Sequence, residues 1–215
     1  MSDVRLRISE LFFSLQGEGS RTGLPTVFVR LTGCPLRCGY CDTTYAFQGG
    51  EWRDIPSILA AVAAYPTRHV CVTGGEPLAQ KACIDLLQAL CDAGYDVALE
   101  TSGALDIGAV DARVSRIVDI KTPASGEVER NLWSNLAKLR AKDEVKFVLV
   151  DEADYHWAVE QLREYRIAER CGVLFSPAFG QFEGRDLAEW ILRDGLPVRM
   201  QLQLHKILWG EEKGR

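Results

Sequence analysis

Short apolar, β-branched runs alternate along this chain with segments of helical periodicity, and that alternation is its strongest constraint on fold. The runs fall at 6–13, 26–31, 69–73, 95–101, 117–121, 145–150, 173–176 and 198–204. Between them, the spacing predicts a helix over 57–65 with Ile58, Leu59, Val62 and Tyr65 on one face. A second helix is predicted over 79–93, closed by Gly94. Further helical patterns lie near 132–140, 155–165 and 185–192. Strands alternating with helices imply βα units, a parallel sheet and right-handed crossovers. In such folds the active-site groups gather at the C-terminal ends of the strands. The polar and glycine-rich segments 73–77, 100–103, 119–125 and 176–181 all fall there. At 215 residues the chain is short for eight repeats, so the expected architecture is a partial, open (β/α) TIM-like barrel whose incomplete side leaves room for substrate.

Composition narrows the class without naming a substrate. A hydrophobic content of 47% with 26% charged residues is that of a soluble globular protein. No apolar run approaches a membrane span, and residues 1–5 lack the apolar core of a signal peptide, so a cytoplasmic protein with no membrane partner is expected. A net charge of −5 with scattered Lys and Arg argues against nucleic acid as a partner. Seven cysteines, an odd number, agree with a reducing compartment.

Three of those cysteines, Cys34, Cys38 and Cys41, form a C-x3-C-x2-C loop directly after the second run. That spacing lets one loop turn three thiolates toward a common point. A closed zinc site needs four ligands, and the nearest later candidates, His69 and Cys71, lie almost thirty residues on. An iron–sulfur cubane held by three cysteines keeps one iron open to a small molecule. On spacing alone three readings stand: a cluster, a zinc site completed by a distant ligand, and an unmetallated loop. Cys71, Cys83, Cys91 and Cys171 sit in strand or helix positions and read as small buried hydrophobes.

The loop, with Tyr40 just before its last cysteine, resembles the signature of the radical S-adenosylmethionine superfamily. So does the segment Thr73, Gly74, Gly75, Glu76, Pro77. The resemblance implies a single radical S-adenosylmethionine domain over 1–215, with its cluster loop at 33–44 and a C-terminal tail at 205–215. It implies a 4Fe-4S cluster on Cys34, Cys38 and Cys41, whose open iron chelates the methionine part of S-adenosylmethionine. One-electron cleavage of that sulfonium would yield a 5′-deoxyadenosyl radical. Tyr40, Cys41, Asp42, Gly75, Glu76, Ser102 and Lys121 are the positions it assigns to S-adenosylmethionine.

Within the superfamily, Phe13–Gly19, Arg30, 99–103, 119–123 and 204–209 resemble the 7-carboxy-7-deazaguanine synthase family. Members convert 6-carboxy-5,6,7,8-tetrahydropterin to 7-carboxy-7-deazaguanine with loss of ammonia, on the way to queuosine. Carried over by position, Leu15, Gln16, Gly17, Glu18 and Thr73 would meet the pterin, and Arg30 would pair with its carboxylate. Thr43 would hold a magnesium ion beside that carboxylate, with Asp42 as the alternative on charge alone. Glu100 reads either as a ribose ligand or as a loop cap, and His205 as a residue that would line the pocket. A reducing electron donor and a homodimer follow from the same resemblance. The glycine-flanked acidic end, 210–215, reads as solvated. Two other functions compete: an activase that installs a glycyl radical on a partner protein, and a non-enzymatic zinc or electron-transfer module.

Overall fold

A computed structural model describes residues 4–210, 212 and 214. Among the described residues nine strands form one sheet, in the order β3-β1-β2-β4-β5-β6-β7-β8-β9. They are β1 (Arg5–Leu15), β2 (Pro25–Leu31), β3 (Glu51–Asp54), β4 (His69–Gly74), β5 (Asp96–Thr101), β6 (Ser115–Ile120), β7 (Glu144–Leu149), β8 (Gly172–Pro177) and β9 (Arg199–Met200). From β2 to β9 every pairing is parallel, whereas β1 runs antiparallel to both β2 and β3. The sheet ends at β3 and β9, which makes an open barrel of the expected kind.

Four helices cover the outer face: α1 (Ile55–Ala63), α2 (Cys83–Asp92), α3 (Glu152–Glu164) and α4 (Gly184–Asp194). Their starts are written locally. Asp54 accepts from Ser57 N at 2.9 Å to cap α1, and Asp151 accepts from Asp154 N at 2.9 Å to cap α3. Gly94, at φ +82°, follows α2, and Gly195, at φ +58°, ends α4. The main core lies between these helices and the sheet, where Leu6, Val29, Val72, Leu99, Val118, Val145 and Phe175 meet Ile58, Leu86, Leu90, Tyr155 and Leu187.

Three readings of the chain need correction. No strand was expected at Glu51–Asp54, a stretch too short and too charged to show a period; it is strand only because β1 offers it an edge. The helical pattern near 132–140 becomes a 3-10 segment, Trp133–Lys138. Buried Asn135 accepts from Ile107 N at 3.2 Å and donates to Gly103 O and Leu105 O, so its side chain ties the segment to the preceding loop rather than to a helix. The last run, 198–204, pairs only at β9 and then turns into α5 (Leu204–Trp209).

That turn closes the barrel by other means. The β1–β2 loop reaches across the gap between the sheet edges: Gly19 N donates to Gln201 Oε1 at 2.7 Å, Ser20 N donates to Glu144 Oε1 at 3.1 Å, and Leu204 N donates to Gly17 O at 3.1 Å. The open side is therefore clasped by polar contacts, where a closed barrel would use a strand ladder. Among the described residues no helix is long and apolar enough to cross a membrane.

Candidate active site

Side chains alternate across each strand, so every second residue points into the barrel. Register then stacks those residues in layers. Phe28, Cys71 and Ala98 are register partners across β2, β4 and β5, and with Phe12 and Ile117 they form a small apolar floor. Phe12 stacks on Phe28 with ring centroids 4.9 Å apart. Two residues further along each strand the inward positions are Arg30, Thr73, Glu100 and Asp119, with Lys146 opposite Asp119. Above this polar layer opens a cavity of about 420 Å³, within the ordinary size for a small-molecule site.

Cys34, Cys38 and Cys41 all line this cavity as free, half-buried thiols. Their loop is pinned on both sides. Gly33 N donates to Ala46 O at 2.8 Å, Glu76 N donates to Gly33 O at 2.7 Å, and Gly39 N donates to Ser125 O at 3.0 Å. Arg37 lies over the Phe47 ring at 4.3 Å and donates to Cys34 O at 2.8 Å. Burial raises the Cys34 thiol and pushes Cys38 up to about 11, so iron would have to displace those protons on binding. Among the described residues no three Cys, His, Asp or Glu side chains meet closely enough to hold a single ion. Three thiols spread around one cavity suit a cubane, which takes each on a separate iron.

Gly75 shows why the neighbouring motif needs glycine. A Cβ there would lie 2.3 Å from Gly33 O and 2.8 Å from Cys34 Cβ. Gly75→Ala is therefore expected to displace the cysteine loop and to lower iron retained per chain by at least about half after anaerobic reconstitution, while Gly172→Ala, whose Cβ would meet only the Glu144 side chain, at 3.6 Å, leaves it unchanged. Iron and sulfide analysis of both variants measures this.

The residues assigned to substrate divide cleanly. Leu15, Gln16, Glu18, Arg30 and Thr73 line the cavity. Arg30 gives its Nε to Glu10 Oε1 at 2.6 Å, and Tyr45 Oη donates to the same oxygen at 2.8 Å. Burial alone would lower the Arg30 guanidinium, but Tyr45, Glu10 and Glu100 more than offset it, and the group stays cationic. Gln16 Nε2 donates to Glu100 Oε1 at 3.3 Å, and Thr73 Oγ1 donates to Glu100 Oε2 at 3.1 Å. Glu100 is thus a cavity residue that gathers two neighbours. Burial alone would raise the Glu18 carboxyl; Lys146, at 2.8 Å, and the Gln203 amide hold it below the usual range.

Gly17 does not line the cavity. It lies under the imidazole of His205, where a Cβ would come within 2.0 Å of Nδ1. His205 and Lys206, both on α5, do line the cavity, so the chain's last helix is a wall of the site. Burial lowers the basicity of His205 against the opposing pull of Glu18 and Asp42, which favours a neutral ring at neutral pH. Of the tail read as solvated, 211, 213 and 215 lie outside the described residues.

Tyr40, Asp42, Ser102, Lys121 and Thr43 share the cavity with Cys41 and Gly75. Thr43 Oγ1 donates to Asp42 Oδ1 at 2.7 Å, which leaves its lone pairs free for a cation. Glu76 does not line the cavity and is fully buried. Its Oε1 accepts from Leu78 N at 2.9 Å and its Oε2 from Ser102 N at 2.7 Å, with the Thr101 and Ser102 hydroxyls adding further bonds. It joins the end of β4 to the end of β5 from behind Gly75. The reading missed Asp119, Lys146, Gln203 and Lys206 as cavity residues. The only signal for Lys146 was a cation in the otherwise apolar run 145–150.

An open parallel barrel carrying a three-cysteine loop at the C-terminal end of its second strand defines a radical S-adenosylmethionine enzyme, and residues 28–121 match the Radical SAM superfamily. The chain is 48% identical to the 7-carboxy-7-deazaguanine synthase of Chlorobaculum tepidum, over 98% of this chain and 97% of that one. It is 42% identical to the enzyme of the same name from Koribacter versatilis, over 96% and 98%. The crystal structure of QueE from Escherichia coli superposes with a TM-score of 0.77 at 25% identity, covering 94% of this chain and 95% of that one. The chain belongs to the 7-carboxy-7-deazaguanine synthase family.

Proposed function

We propose that this chain converts 6-carboxy-5,6,7,8-tetrahydropterin to 7-carboxy-7-deazaguanine with loss of ammonia, a step toward queuosine and related 7-deazapurines. The observation that carries the reading is the opening of Leu15, Gln16, Glu18, Arg30 and Thr73 onto the same cavity as the three cysteines. Cys34, Cys38 and Cys41 would hold a 4Fe-4S cluster, which when reduced supplies the electron that cleaves S-adenosylmethionine. The rest of the work falls to the protein. Tyr40, Asp42, Gly75, Ser102 and Lys121 bind and orient S-adenosylmethionine at the cluster end, and Glu76 keeps Ser102 in place. At the other end, Arg30, already oriented by Glu10, pairs with the substrate carboxylate. Gln16, Glu18 and Thr73 present the acceptors and donors that a pterin edge requires. The apolar floor of Phe12 and Phe28 excludes water beneath the ring. Thr43 would supply one oxygen to a magnesium ion whose other ligands are water and the substrate carboxylate, an arrangement this hard cation accepts readily. The chain acts as one domain, as a cytoplasmic homodimer served by an external reductant.

The test is product analysis. Anaerobically reconstituted protein incubated with carboxytetrahydropterin, S-adenosylmethionine, reductant and magnesium is expected to release 7-carboxy-7-deazaguanine and 5′-deoxyadenosine. Protein that carries one zinc and cleaves no S-adenosylmethionine would overturn the reading. Cleavage without turnover of the pterin would point to the activase.

A further inference from the structure

We infer that Lys146, in the middle of β7, is the positioning residue that sets Glu18 for substrate from the opposite side of the open barrel. The inference rests on the reading above, in which Glu18 faces the pterin. Glu18 belongs to the β1–β2 loop, yet the side chains that hold its carboxylate come from the far arm of the barrel. Lys146 Nζ lies 2.8 Å from Oε2, Gln203 Nε2 donates to Oε1 at 2.8 Å, and Gln201 Nε2 donates to Oε2 at 3.4 Å. The loop alone therefore does not place the group. Lys146 also lies 3.2 Å from Asp119 Oδ2, whose other oxygen is 3.0 Å from Lys121 Nζ. Lys121, Asp119, Lys146 and Glu18 thus alternate in sign through the cavity wall, from the cluster end to the substrate end, with side chains 10–16% exposed.

Such a chain is a costly way to fill space. Apolar side chains of similar volume often serve stability as well as a buried ion pair does, whereas removing one partner strands the other charge. The charge on Lys146 has a use that packing does not supply. Around the Glu18–Lys146 pair stand Asp119 on β6, Glu100 on β5, and Gln203 and His205 at the C-terminal end. Burial by itself raises the Glu18 carboxyl, and Lys146 is the largest opposing influence. With Lys146 present, Glu18 is an acceptor throughout the neutral range. Without it, the buried carboxyl takes up a proton at higher pH and turns a donor toward the substrate.

The test compares the wild-type chain with Lys146→Met, Lys146→Arg, Glu18→Gln and the Glu18→Gln/Lys146→Met double variant, all cluster-loaded. Carboxytetrahydropterin binding is measured against pH, and the Glu18 carboxyl is followed by carbon-13 NMR, assigned by its loss in Glu18→Gln. Lys146→Met is expected to weaken pterin binding about tenfold or more at neutral pH and to move the acid limb upward. Lys146→Arg restores most of the affinity, and the double variant binds no more weakly than the worse single one. Where Lys146→Met does not fold, Lys146→Gln carries the same comparison. Unchanged Glu18 titration in Lys146→Met, or penalties that multiply in the double variant, overturns the inference. A wild-type chain that binds no pterin overturns the proposed substrate instead, and the NMR titration then still decides the role of Lys146.

Discussion

Glu76→Gln is expected to destabilise the protein by about 3 kcal/mol, and so to lower its midpoint of thermal unfolding by about 6–12 °C. The reason lies in which atoms face the carboxylate. Leu78 N–H points at Oε1 and Ser102 N–H at Oε2, and neither backbone donor can turn away. A glutamine offers one acceptor and one donor, so whichever way its amide is set, an NH2 meets a buried N–H. Thr101 and Ser102 hydroxyls can rotate, which keeps the loss below that of a full deletion. Scanning calorimetry of the metal-free chain measures this apart from any cluster effect. An unchanged midpoint would mean that the carboxylate does not accept from both backbone donors. The displaced Ser102 also lines the cavity, so weaker S-adenosylmethionine binding should accompany the loss of stability.

Cys38→Ala is expected to do the reverse. Cys38 is half-buried in an irregular loop, outside the apolar core, so the metal-free variant should unfold within about 1 kcal/mol of the metal-free wild type. Its cluster-dependent product formation should nevertheless fall below detection, since two thiolates cannot replace three around a cubane. Iron analysis, visible absorption and turnover under anaerobic conditions check the second half of the statement. A variant that retains four irons and forms product would remove Cys38 from the ligand set. Together the two substitutions separate what holds the barrel end in shape from what it presents to a cofactor.

Much of this architecture is legible in the chain because it obeys a short period. Val70, Val72 and Leu99 turn outward to the helices while Cys71, Thr73 and Glu100 turn inward, and alternation of that kind needs no knowledge of partners. The cysteine loop and the glycines before Glu76 are local as well: three thiolates within eight residues, and a backbone approach that forbids a Cβ. Resemblance placed Leu15, Gln16, Gly17, Glu18, Arg30 and Thr73 in one group, and all of them but Gly17 line the cavity. The misreadings are those in which a distant partner decides. Glu51–Asp54 becomes strand because β1 has an edge to offer. The segment around Asn135 loses its helix to carbonyls some thirty residues away. The buried hydrogen bonds of Glu76 likewise depend on Ser102, at the end of β5.

The alternating strands and helices, the end of the barrel where chemistry gathers, and the thiols available there are all written in local sequence. These depend on side-chain period and on neighbours within a few residues. How the open side is closed, which donors hold Glu76, and which cation meets Glu18 follow only from the tertiary fold. In each case the partner lies at the far end of the chain or on another strand: Gln201 for Gly19, Ser102 for Glu76, Lys146 for Glu18. A buried charge takes its position and its protonation from whatever opposes it, and in this barrel the opposing groups are brought near only by the winding of the sheet.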